Sequence, residues 1–197
     1  MTADPDRSAL RAVLRARRIA LPAAERVAAA EGVARNLVGF APLLTGRRVA
    51  GYWAVEGELP LACLLPGLRA RGQQYLLPVI GPARRLRFAP WQAGMEIRPN
   101  RHGIPEPLCE EHALIEPGEL DVVLMPLVGF DRRGHRLGFG GGYYDRAFAF
   151  LHARDAPARP VLVGIAYATQ EVPPFEAAPW DVRLDYVATE RELMNCG

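Results

Sequence analysis

The reading of this chain turns on Leu120-Asp121-Val122-Val123-Leu124-Met125-Pro126-Leu127-Val128 and, eight residues later, Arg136-Leu137-Gly138-Phe139-Gly140-Gly141-Gly142-Tyr143-Tyr144-Asp145. Residues 121–128 are a short apolar run rich in valine and leucine, as expected of a strand buried on both faces. Residues 144–154 read as helix, so the glycines fall at a strand-to-helix crossing. In open α/β sheets ligands bind at such crossings, outside the carboxyl ends of the strands. Four glycines in five residues let backbone N–H groups turn inward, and a following helix N-terminus adds partial positive charge. Arg136 supplies a full charge at the start of the loop, and Asp145, in the first helical turn, is placed to hold Mg²⁺ through an oxygen. The same spacing also suits plain tight turns, with Asp145 complementing the helix dipole for about 0.3–1 kcal/mol. The loop departs from the dinucleotide-binding fingerprint, which needs glycine where Tyr143 stands.

Working outward, Arg48–Trp53, Gln74–Ile80 and Val161–Tyr167 are further buried-strand candidates, and Asp185–Ala188 closes the series. Leu86–Phe88 alternates as an edge strand does. Between the first two strands, Leu61–Arg71 is helical, interrupted by Pro66. Residues 100–118 and 171–180 are proline-rich loops. Toward the N-terminus, Leu10, Val13 and Leu14 mark one face of a helix over Pro5–Ile19, with arginines around them. A second helix starts after Pro22 and carries Val27, Ala30, Ala34, Leu37 and Val38. Strands alternating with helices predict an α/β fold: one domain over residues 1–197, with a mostly parallel open sheet and helices on both faces in a Rossmann-like three-layer arrangement. The order of the strands is not legible.

The 24 basic residues are all arginine. The absence of lysine excludes Schiff-base chemistry, a lysine general base and a P-loop. Phosphate must therefore meet arginine, backbone N–H groups or a metal. A net charge of +2 gives no electrostatic case for a nucleic-acid or membrane partner. The acidic first residues and the lack of a long apolar run predict a cytoplasmic protein. Three cysteines without close spacing form neither a disulfide framework nor a zinc knuckle. The four histidines, His102, His112, His135 and His152, lack ligand spacing and read as surface or loop residues.

The segment 120–126 with Gly129-Phe130-Asp131, Gly134, Arg136-Leu137-Gly138 and Gly140-Gly141-Gly142-Tyr143-Tyr144-Asp145 resembles the 5-formyltetrahydrofolate cyclo-ligase family, whose members are also called methenyltetrahydrofolate synthetases. Further pieces follow in the family's order: Arg7-Ser8-Ala9-Leu10-Arg11, Tyr52-Trp53 with Glu58, and Gly103-Ile104-Pro105-Glu106-Pro107. The resemblance spans residues 7 to about 188. It implies ATP-dependent closure of 5-formyltetrahydrofolate to 5,10-methenyltetrahydrofolate, with the formyl oxygen phosphorylated on the way.

Carried over by residue, the resemblance places Arg7, Ser8, Ala9, Leu10 and Arg11, with Arg136, Leu137, Gly138, Phe139, Gly140, Gly141, Gly142, Tyr143 and Tyr144, around ATP. Trp53 would stack on the pterin of the folate and Glu58 would accept its N–H groups. Phe139 to Tyr143 would face both substrates, Arg136 and Tyr143 would act at the reacting phosphoryl group, and Asp145 and Asp181 would hold Mg²⁺. Taken singly, Trp53 would be core, Glu58 a solvated charge, and Arg7 and Arg11 a solvent-facing pair. Two departures stand out: family members usually begin the N-terminal motif with lysine where Arg7 stands, and some carry lysine in the glycine loop at the position of Gly141. We expect a monomer acting on small molecules, with no nucleic-acid or membrane partner. Two alternatives are a phosphosugar isomerase or CoA-transferase-like enzyme, and a folate- or nucleotide-binding relative without turnover.

Overall fold

The computed structural model describes residues 5–153 and 159–197. Its strands in chain order are β1 (Arg48–Ala50), β2 (Gln74–Ile80), β3 (Leu86–Pro90), β4 (Ile97–Pro99), β5 (Pro105–Pro107), β6 (Val122–Pro126), β7 (Gly129–Phe130), β8 (Arg136–Leu137), β9 (Val161–Ile165), β10 (Tyr186–Ala188) and β11 (Leu193–Asn195). The helices are α1 (Pro5–Ile19), α2 (Ala23–Leu37), α3 (Ala41–Thr45), α4 (Leu65–Ala70) and α5 (Tyr143–Ala147). Seven strands form one sheet in the order β11-β10-β9-β6-β1-β2-β3. The inner five are parallel, and each edge strand pairs antiparallel. This is the α/β fold read from the sequence.

Strand alternation sends successive side chains to opposite faces. Val49, Leu77, Val122, Leu124, Val163 and Ile165 pack under α2, α3 and α4, with Ala29, Ala30, Val33, Leu37, Leu43 and Leu68 opposite them. Ala50, Leu76, Val123, Met125, Leu162 and Val187 form the other face, covered by Phe148 and Leu151. Helices lie on both faces, but the second layer is thin. The expected helix over 144–154 is α5, five residues long, followed by a 3-10 segment over Ala149–Ala153; Arg154 lies outside the described residues. So short a helix has little macrodipole, and a ligand charge at the glycine loop must be met by side chains and loop N–H groups.

Other elements differ in extent. The first strand stops at Ala50, because residues 51–61 turn over the end of the sheet. Pro66 starts α4 instead of interrupting a helix, since its missing N–H is unneeded in the first turn. Part of the proline-rich loop over 100–118 pairs as β5 with β4. The last strand is β11, pairing back onto β10. Both amphipathic stripes are rotated from expectation. Val13, Val27 and Val38 face solvent, and α1 turns Leu10 and Leu14 inward together with Arg18.

The strand-to-helix crossing is not direct. β7 and β8 form a hairpin between β6 and the glycine loop, and Leu14 of α1 packs on Val128 and Leu137 of that hairpin. Gly129 permits the contact; a Cβ there would lie 2.6 Å from Leu14 Cδ1. The hairpin turn is organised by Asp131, fully buried at 0% exposure. Its carboxylate accepts from the N–H groups of Arg133 (2.9 Å), His135 (3.0 Å) and Phe175 (3.3 Å) and pairs with His135 Nδ1 at 3.1 Å. Burial opposes ionisation, but these bonds outweigh it and hold the carboxyl below its ordinary range. Asp131→Ala leaves several buried donors unpaired, and we expect a loss of about 2–4 kcal/mol in urea unfolding. A loss below measurement error would show that the hairpin holds without it.

Candidate active site

From β1 the chain crosses to β2 on one side, and from β6 it proceeds through β9 to β10 on the other. β1 and β6 are neighbours, so their carboxyl ends form the point where the sheet's winding reverses and a crevice opens. Residues 51–61, leaving β1, fill one wall. Tyr52 is buried there and donates its hydroxyl to Leu59 O at 2.5 Å. Glu58 is 7% exposed and accepts the Val55 N–H at 3.0 Å. Burial lifts its carboxyl to about 7, against the opposing pull of the Val55 bond and Arg18.

Arg18 spans the crevice. At 1% exposure it donates Nε to Glu56 O (3.1 Å) and Nη1 to Leu127 O (3.3 Å), joining the segment after β1 to the segment after β6. Its Nη1 lies 4.0 Å from Glu58 Oε1. Phe139 of the glycine loop covers the same guanidinium, 5.2 Å from its ring centroid, and remains 44% exposed. Arg18 was not singled out from sequence. The available signal was that Arg7, Arg11 and Arg18 share the helical face of Leu10 and Leu14, whereas solvated arginines would lie opposite.

On the other side of Phe139 the charges concentrate. Arg11 donates Nε to Gly138 O at 2.8 Å, and Arg7 pairs with Asp181 at 2.8 Å beside the Phe175 ring. Arg136 is buried, donates to Val182 O and pairs with Asp145 at 2.6 Å. Asp145 Oδ1 also accepts the Val182 N–H at 3.2 Å, which sets the two sequence-predicted acidic residues on either side of one peptide. Gly140 and Gly142 hold φ of 94° and 61°, a backbone region closed to most side chains. Ser8 and Ala9 are exposed on the outer side of α1, and Leu137 is buried against Leu14, so these three shape the site without facing it.

Tyr143 presents its hydroxyl to Arg101 Nη2 (2.8 Å) and His102 Nε2 (2.9 Å), both on the β4–β5 turn. Glu106 anchors that turn by accepting from Ile80 N–H (2.9 Å) and Asn100 Nδ2 (2.8 Å), which accounts for the Gly103–Pro107 motif. Tyr144 stacks on Phe148 at 6.2 Å. Trp53 is half-buried and meets Trp91 edge-on at 5.8 Å. Trp91, like Arg101 and His102, carried no sequence signal. Among the described residues no three His, Cys, Asp or Glu side chains cluster as a metal cage, and no helix is long and apolar enough to cross a membrane.

The arrangement sets an arginine-lined glycine loop beside a buried carboxylate acceptor at the carboxyl ends of an α/β sheet. Residues 3–190 match the profile of the 5-formyltetrahydrofolate cyclo-ligase family, and the chain belongs to that family. It is 32% identical to the 5-formyltetrahydrofolate cyclo-ligase of Escherichia coli (strain K12) over 184 residues, covering 92% of this chain and 98% of the relative. The Mycolicibacterium smegmatis cyclo-ligase is 31% identical over 190 residues, 94% of each chain. Among solved structures, the Aquifex aeolicus 5,10-methenyltetrahydrofolate synthetase superposes with a TM-score of 0.80 at 28% identity, covering 96% of this chain and 92% of that one. The Mycoplasma pneumoniae synthetase gives 0.74 at 26% identity, covering 94% and 99%. The chain is thus an enzyme of the ATP-dependent cyclo-ligase class. Family membership sets aside the isomerase and CoA-transferase alternatives.

Ionised, Glu58 can accept two N–H bonds side by side; protonated, one of its oxygens becomes a donor and that paired acceptance is lost. With saturating ATP, kcat/KM for folate should climb by about tenfold per pH unit below pH 7 and level off above it. Glu58→Gln should flatten the rise. A wild-type profile flat from pH 5.5 to 8 would show that Glu58 does not gate binding.

Proposed function

We propose that this chain, acting as one domain, passes the γ-phosphoryl group of ATP directly to the formyl oxygen of 5-formyltetrahydrofolate, with the two substrates meeting across Phe139. A formamide oxygen is a poor leaving group, and phosphorylation makes it a good one. The P–O bond to ADP breaks as a P–O bond to the formyl oxygen forms. The neighbouring folate nitrogen then attacks the activated carbon and loses its proton, the C–O bond breaks, and phosphate leaves. The protein's task is to hold two groups in line and to neutralise migrating charge; it supplies no nucleophile.

Residue roles follow from position. Arg7, Arg11 and Arg136, with the N–H groups of residues 138–142, take the phosphates, and Arg136 and Tyr143 flank the group in transfer. Glu58 accepts from the ring N–H and amino groups of the pterin, and Trp53 packs on its face. Asp145 and Asp181 suit Mg²⁺ shared with a nucleotide, since that ion ordinarily takes one or two carboxylates and completes its shell with phosphate oxygens and water. Bound there, it would neutralise phosphate charge. Arg7 and Arg136 hold these two carboxylates in place, and Arg7 stands where family members usually have lysine. A soluble cytoplasmic monomer acting on small molecules completes the reading.

The observation that carries the proposal is Phe139, which covers the buried Arg18 guanidinium beside Glu58 while its own loop is held to α1 through Arg11. Purified protein with Mg·ATP and 5-formyltetrahydrofolate should develop methenyl absorbance in the near ultraviolet and release ADP in step with it. Asp145→Asn should raise the Mg²⁺ needed for half-maximal rate by about tenfold or more. Folded protein that binds both substrates without absorbance change would be a non-catalytic relative. Unchanged Mg²⁺ dependence would return Asp145 to pairing with Arg136.

A further inference from the structure

Buried polar atoms in folded proteins almost always find partners, so an exception calls for a reason. Among the described residues four buried side-chain atoms have none: Arg7 Nε, Arg18 Nη2, Trp91 Nε1 and the Tyr167 hydroxyl. All four border the site. Arg7 lies with the charges at Asp181, and Trp91 stands against Trp53. Tyr167 follows β9 at the crevice, within electrostatic reach of Arg18 and Glu58.

Arg18 is the most informative of the four. Its Nε and Nη1 are spent on carbonyls that join the two walls, so its geometry is set by the protein. Burial lowers its pKa, with Glu58 opposing, and a guanidinium still keeps its proton at working pH. A charged, rigid donor with an unused N–H, buried beside a carboxylate, is costly unless something else uses it. Glu58 presents two acceptor oxygens and Arg18 presents a donor alongside them. A 4-oxo pterin edge carries the complement: an amino group and a ring N–H that donate, then a carbonyl oxygen that accepts.

We infer that Arg18 is a specificity-determining residue that donates from Nη2 to the 4-oxo group of the pterin, next to the N–H groups taken by Glu58. The inference rests on the folate assignment of this crevice. It accounts for the arginine lying on the apolar side of α1 and for Phe139 covering its guanidinium. It also predicts a discrimination that stacking on Trp53 alone does not provide. A ligand with an amino group at position 4 sets donor against donor at Arg18 and also lacks the ring N–H that Glu58 takes, so the share carried by Arg18 is read from how far the preference falls when Arg18 is replaced.

The test is equilibrium binding, read by tryptophan fluorescence. The ligands are 5-formyltetrahydrofolate and its 2,4-diamino counterpart, which has an amino group in place of the 4-oxo group. Wild-type protein should prefer the 4-oxo compound by about a hundredfold or more. Arg18→Met keeps the side-chain length and should bring the two affinities within about tenfold, while the KM for ATP changes by less than about twofold. Arg18→Lys, with charge but no fork, should fall between them. Wild-type protein that binds both ligands equally overturns the inference without recourse to any variant. A folded Arg18→Met that keeps the full preference overturns it as well. Wild-type protein that binds neither ligand overturns the folate assignment itself, and this inference with it.

Discussion

Parallel strands that leave a sheet in opposite directions cannot have the gap between them closed by their own crossovers. β1 and β6 impose that constraint here, and the features that bear on function are arranged around the gap. Arg18 spans it by bonding to Glu56 O on one side and Leu127 O on the other. Glu58 is buried by it, and that burial moves its carboxyl into the neutral range. Phe139 covers it from the glycine loop. Helix α1, which carries Arg18, reaches the loop through Arg11 and the β7–β8 hairpin through Leu14, so one helix registers all three parts.

A second constraint is electrostatic. Without lysine, every basic side chain near the proposed phosphate site is a planar guanidinium that bonds through several directed N–H groups. Arg136 uses its fork on Val182 O and Asp145, and Arg7 uses its own on Asp181. The acidic pair is thereby held in place by the same residues that would meet the nucleotide. Substituting arginine for lysine at the start of the motif thus does more than preserve charge: it fixes Asp181 through a directed bond that also reaches from α1 to the far end of the chain.

Much of this was legible in the sequence, and the parts that were not share physical causes. The buried strands β2, β6 and β9 announced themselves by apolar runs, and the proposed phosphate and folate residues by a motif spread along the chain. The order of strands was not readable, because pairing between distant segments leaves no local periodicity. The β7–β8 hairpin was missed since two-residue strands carry no pattern, and its organiser, Asp131, stood in the motif with no structural role attached to it. Arg18 was passed over because an arginine on an amphipathic helix is ordinarily solvated, although it shares the helical face of Leu10 and Leu14. Val13, Val27 and Val38 misled the helix readings because apolar residues are also common on surfaces.

The central claim is that the two halves of the site meet closely enough for direct phosphoryl transfer to the formyl oxygen. Labelling the formyl oxygen of 5-formyltetrahydrofolate with a heavy oxygen isotope and analysing the phosphate released in a single turnover tests this most directly. The account predicts that the label leaves in the inorganic phosphate. Label recovered in water, with unlabelled phosphate, would contradict it.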